Sequence, residues 1–140
     1  VIVGWGDWGN WCDVPPTFTC SNSITTDCTW ILMDAEWHPP PCSKVKIWWK
    51  VYCCSPVSNC GSSNYHGFKH KVTTKIKVTY KDGRVIWKSE SHEFSGSLPK
   101  EGEDWFDVEN TSLIDSIECH VDLFCDCWAF FGSETVSCKL

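Results

Sequence analysis

The chain has 140 residues and a formal net charge of −6, and its length fits a single domain spanning 1–140. The acidic balance excludes nucleic-acid binding, which needs a basic surface to displace counterions, and electrostatic attraction to anionic lipid. No apolar run approaches the roughly 18 residues of a transmembrane segment.

The first segment, Gly4-Trp5-Gly6-Asp7-Trp8-Gly9-Asn10-Trp11-Cys12, carries a tryptophan at every third position. Its glycines disfavour a helix, and a polyproline-like path with about three residues per turn would stack the rings on one side. Residues Cys28 to Asp34 read as a strand with Trp30 and Leu32 on one face, and Pro39-Pro40-Pro41 cannot continue its ladder. Val45 to Val51 alternates: Val45, Ile47, Trp49 and Val51 point inward, Lys44, Lys46 and Lys50 outward, and Trp48 shares the lysine face. Cys53 to Gly67, rich in Ser, Asn, Gly and Cys, reads as a loop.

A hairpin follows. Val72, Thr74, Ile76, Val78 and Tyr80 share a face opposite Lys71, Lys75 and Lys77, and Asp82-Gly83 predicts a two-residue turn of the primed type. With a return strand from Val85 to Glu93, that register sets Val78 against Trp87, Tyr80 against Val85 and Lys75 against Glu90. It assigns Trp49 and Trp87 to the core, with Trp30 beside them. Ser95 to Glu103 reads as a loop and Trp105 to Val108 as a short strand. Asn110-Thr111-Ser112 is an N-glycosylation sequon. Ser116 to Cys125 alternates again, with Ile117, Cys119, Val121, Leu123 and Cys125 on one face and Glu118, His120, Asp122 and Phe124 on the other. Five or more strands without a helical period predict an all-β fold: a disulfide-stapled antiparallel β-sandwich or barrel with long irregular loops.

Eleven cysteines (Cys12, Cys20, Cys28, Cys42, Cys53, Cys54, Cys60, Cys119, Cys125, Cys127 and Cys138) are too many for an ordinary cytosolic domain, where thiols stay reduced. They point to an oxidising, extracellular setting, in which Val1 reads as a processed terminus and the Asn110 sequon becomes meaningful. The count is odd, so one cysteine either stays buried and unpaired or links to a second molecule.

Zinc would draw on Cys53-Cys54-x5-Cys60, Cys125-x-Cys127 and His66-x3-His70, but none repeats the paired spacing of a structural site. Glu118, His120 and Asp122 lie two apart on a strand and point the same way, which nominates them for a divalent cation against the simpler reading of a solvated face. No spacing nominates a nucleophile with its base, no phosphate loop precedes a helix, and no cofactor is implied. The expectation is a binding protein, not an enzyme.

The ten tryptophans carry what remains. Trp5, Trp8, Trp11, Trp37 and Trp48 fall in glycine- or proline-rich stretches or on a polar face, and are the candidate ligand-binding residues. An indole offers a flat apolar face to sugar C–H groups and a polar N–H tip. Trp5-x-x-Trp8-x-x-Trp11 resembles the ladder of thrombospondin type-1 repeats, though without that family's arginines and cysteine spacing. The same opening is similar to the glycine-tryptophan starts of vitelline membrane outer layer proteins, all-β components of egg coats, but their Asp-Asp-Thr-Ala-Leu-Asn signature is missing. Cys119, Cys125, Cys127 and the closing Cys138-Lys139-Leu140 are similar to pherophorin-type matrix domains. Each likeness covers too few residues to carry over a fold or a residue role.

The sequence therefore leads to a secreted domain that recognises extracellular glycan, lectin-like, through exposed tryptophans. A structural subunit of an extracellular coat, matrix or filament, self-associating through an odd cysteine and an aromatic surface, is the second expectation. A secreted toxin or inhibitor acting on a protein receptor or membrane is the third.

Overall fold

A computed structural model describes residues 12–26, 29–53, 69–95, 99–126 and 131–140. Strict alternation builds three of the four central strands, β3 (Lys44–Cys53), β4 (His70–Tyr80) and β7 (Ile114–Asp126). Each buries every second residue: Val45, Ile47, Trp49 and Val51 from β3, Val72, Ile76 and Val78 from β4, Ile117, Val121 and Leu123 from β7. Around them lie β1 (Phe18–Thr25), β2 (Thr29–His38), β5 (Val85–Phe94), β6 (Lys100–Asp107) and β8 (Phe131–Lys139). One sheet, here sheet A, has the order β1-β2-β3-β6; sheet B has the order β5-β4-β7-β8. All pairings are antiparallel. Two separate sheets enclosing one apolar layer make a sandwich, so the barrel alternative falls away.

Four features depart from expectation. β1 and β8 have too little apolar alternation to read as strands, because β1 sets Thr19, Ser21, Ser23 and Thr25 on its outer face and β8 carries Ser133, Thr135 and Ser137 at alternate positions. β6 begins at Lys100, inside the stretch expected to be loop, since its pairing with β3 overrides the charged composition. The hairpin slips by one residue: Thr79 pairs with Val85, Val78 with Ile86 and Lys77 with Trp87.

The turn explains the slip. The Gly83 N–H donates to the Tyr80 carbonyl (2.9 Å), the Tyr80 N–H donates to the Arg84 carbonyl (2.9 Å), and Gly83 has φ 93°. That is a three-residue loop closed by a left-handed glycine bulge, not a two-residue primed turn. One residue of register moves a whole strand face, so Trp87 stands outward and 55% exposed instead of in the core. Lys75 accordingly faces Ser89, and Glu90 faces Thr74. Trp30 is outward too, half-buried, because β2 turns Ile31, Met33, Ala35 and Trp37 inward.

Two disulfides bolt the sheets together: Cys20–Cys138 ties β1 to β8, and Cys53–Cys125 ties the end of β3 to the end of β7. A third, Cys12–Cys42, fastens the segment before β1 to the turn between β2 and β3. Such bonds persist outside the reducing cytosol. The unpaired cysteine among the described residues is Cys119, which is 0% exposed and stands directly across from Cys138 in the β7–β8 ladder. Of the two fates open to an odd cysteine, this thiol has the buried one. Cys28, Cys54, Cys60 and Cys127 lie outside the described residues.

On the opposite edge, a buried carboxylate joins the sheets. Asp104 of β6 accepts from Thr74 Oγ1 of β4 (2.6 Å) and from Trp49 Nε1 of β3 (3.3 Å), while its second oxygen lies 2.7 Å from His92 Nε2 of β5. The Trp49 indole reaches that position over Gly102, its ladder partner, where a Cβ would stand 2.6 Å from Trp49 Cζ2.

Candidate functional site

Because Ile47 and Trp49 point inward, Trp48 stands on the outer face of sheet A. Its cross-strand neighbours are both carboxylates, Asp34 on β2 and Glu103 on β6. Its neighbours along β3 on that face are Lys46 and Lys50. The charges are mostly spoken for. Lys46 pairs with Glu103 (3.3 Å) and lies 5.7 Å from the Trp105 ring centre; Lys44 pairs with Asp107; Lys50 lies 5.9 Å from the Trp30 ring centre. Trp48 and Leu32, with Asp34, Ser21 and Ser23 beside them, line an open groove of about 300 Å³. Asp34 is exposed and has no ion pair among the described residues.

One end of this face is closed by the segment that Cys12–Cys42 anchors. His38 is buried there: its Nδ1 lies 2.8 Å from the Val14 carbonyl oxygen and its Nε2 2.8 Å from Glu36 Oε2. The imidazole sits 5.2 Å from Trp105, which is thus held between His38 and Lys46. Trp105 is a filled position, whereas Trp48 has no ring or cation partner among the described residues.

Trp37 belongs elsewhere. The proline run that follows it begins only at Pro39, after β2 has already turned Trp37 inward to 8% exposure. This corrects its assignment to an exposed platform. It lines a second opening, of about 400 Å³, at the end of the sandwich, with Phe18, Ile114, Ile117 and Leu140. The remaining candidates, Trp5, Trp8 and Trp11, lie outside the described residues.

Glu118, His120 and Asp122 do share the outer face of β7. Asp122 is engaged by Lys75 Nζ (2.7 Å) and by the Thr135 hydroxyl (2.7 Å). His120 Nε2 is 3.4 Å from Glu118 Oε1, and its ring lies 5.8 Å from that of Trp87. Among the described residues, the trio whose ligand atoms come within metal-binding range of one another is instead Cys53, His70 and Cys125. There the two sulfurs are joined in a disulfide, and His70 Nδ1 accepts from the Asp126 N–H (3.0 Å). Cys54, Cys60, His66 and Cys127 lie outside the described residues.

Asn110 is exposed in a left-handed conformation (φ 52°) at the start of a short turn, Thr111–Leu113, with Ser112 of its sequon also exposed. Among the described residues no helix is long and apolar enough to cross a membrane. Sequence reasoning found Trp48 but missed Asp34, Ser21 and Ser23, since the strand that carries the serines was itself missed. The period-2 run of hydroxyls in Thr19, Ser21, Ser23 and Thr25 was the available signal.

Fold and site together define a disulfide-linked antiparallel β-sandwich with an aromatic, charge-chequered outer sheet face. No protein-family model matches the chain, and no curated protein or solved structure is significantly similar to it.

Proposed function

We propose that the chain is a secreted, non-enzymatic domain that binds saccharide in the groove around Trp48. One observation carries this reading: an outward indole without a ring partner among the described residues, set in one groove beside two serine hydroxyls and a carboxylate that has no ion pair among them. The indole face suits sugar C–H groups, and the carboxylate and hydroxyls suit sugar hydroxyls. Three disulfides and an accessible sequon at Asn110 support secretion and glycosylation.

The test is a titration of the protein and of Trp48→Ala with a panel of soluble oligosaccharides, followed by tryptophan fluorescence and calorimetry. At least one sugar should bind the parent chain, and the variant should lose about tenfold or more in affinity. A parent chain that responds to no sugar overturns the reading.

A structural role in an extracellular assembly is favoured by a different feature. Phe18 is 61% exposed beside the end opening lined by Trp37, Ile114, Ile117 and Leu140, an apolar surface suited to a protein neighbour. Sedimentation over a range of concentrations checks it, and a monomer at every concentration, with and without reductant, removes it.

A further inference from the structure

We infer that the saccharide is neutral and that Asp34 is the residue that sets this preference. The inference rests on the reading of the Trp48 groove as a sugar site and adds to it the charge class of the ligand. Trp48 is flanked across the sheet by Asp34 on one side and Glu103 on the other. Of the ammonium groups on this face, Lys44 pairs with Asp107 and Lys46 with Glu103, while Lys50 lies over the Trp30 ring and is not among the residues that line the groove. Among the described residues that line the groove, the charged side chain is Asp34, exposed, without an ion pair to any other described residue, and beside Ser21, its ladder partner on β1.

A carboxylate only accepts hydrogen bonds, so it rewards a ligand edge that donates them. Neighbouring hydroxyls of a neutral pyranose lying on the indole are such an edge, and charge-assisted hydrogen bonds of this kind are the stronger sort. Ser21 and Ser23 can donate or accept, so they tolerate either orientation of the ring. A uronate or sulfated sugar would place its anion beside Asp34 with no cation among the described residues that line the groove, and like charges so placed are costly. The chain's net charge of −6 opposes the approach of a polyanion over longer range.

The experiment measures binding of neutral glucose, mannose and galactose oligomers against their matched uronate counterparts, with the intact protein and with Asp34→Asn. Asparagine keeps the shape and one acceptor but removes the charge, and position 34 is exposed, so folding is not at stake. A neutral oligomer should bind the parent chain about tenfold or more tighter than its uronate. In Asp34→Asn that ratio should collapse toward one, through weaker neutral binding, a gain for the uronate, or both. A uronate that binds the parent chain as tightly as its neutral partner overturns the inference, as does a ratio that Asp34→Asn leaves unchanged. In both cases sugar still binds, so the Trp48 site stands while the charge preference falls. Binding of no oligomer at all removes the site itself.

Discussion

The two long edges of the sandwich solve the same problem with different chemistry. Where β1 meets β8, the Cys20–Cys138 disulfide crosses between the sheets; where β5 meets β6, Asp104 gathers donors from three other strands. Each edge has a strand poor in buried apolar side chains, β1 at one and β5 at the other. β1 half-buries only Cys20 and Ile24, and β5 fully buries only Phe94. Inward-facing polar residues such as Lys88, Glu90 and His92 guard an edge against pairing with other chains, yet they forfeit hydrophobic area. A specific link replaces that area at each edge. The covalent link acts mainly by limiting the unfolded chain, whereas the carboxylate node acts in the folded state and must be fully satisfied to be tolerated.

The comparison breaks most visibly at the covalent edge. Replacing both Cys20 and Cys138 by alanine opens a loop closed across a sequence separation of 118 and should cost about 4 kcal/mol by loop-closure entropy. Guanidinium unfolding measures this. A loss no larger than that from changing Asp104 would show that β1 holds by burial alone.

At the other edge, Asp104→Ala removes the acceptor for the buried Trp49 N–H and the Thr74 hydroxyl and should cost about 3 kcal/mol. Asp104→Asn retains one acceptor oxygen and should cost roughly half as much. Equal losses for the two variants would mean that the charge, not the hydrogen bonding, matters at this edge. Because the two edges share no partner residues, the disulfide and Asp104 changes should add when combined.

How much of this was legible in the sequence follows the same division. The central strands β3, β4 and β7 were, because each buries one face and leaves the other partly open, and that constraint is written at every second residue. The edges were not. β1 carries hydroxyls on its outer face and little apolar signal on its inner one, and what identifies it as a strand is its pairing with β2 and its bond to Cys138, about which local sequence is silent. The Asp82-Gly83 pair correctly marked a turn, but its type depended on Gly83 closing a bulge, and that single residue of register exchanged Trp87 from core to surface. Trp48 was legible by parity. Its partner Asp34 was not, since a cross-strand neighbour is known only once the strands are paired.

The smallest effect sharpens the covalent edge. Cys119 faces the same interior as Cys138, directly across the ladder, so a free thiol neighbours a disulfide sulfur. Exchange needs the thiolate, and burial, with the Glu118 carboxylate adding to it, pushes the Cys119 thiol up to about 12. The disulfide is therefore shielded from its own neighbour at neutral pH. Below the unfolded thiol value of about 8.5, Cys119 is protonated in both states and its contribution to stability is fully present. As pH rises further, the unfolded chain releases that proton while the folded chain keeps it, so stability falls by about 1.4 kcal/mol per pH unit until the folded thiol ionises. Chemical denaturation between pH 8 and 10.5 should show this decline in the parent chain, and Cys119→Ala should flatten it by that slope. Peptide-resolved alkylation at pH 8 provides a second readout, with Cys119 unmodified in the native protein and labelled in denaturant. Equal labelling in both would mean that the interior opens to solvent at Cys119, and that the disulfide across from it is open to exchange.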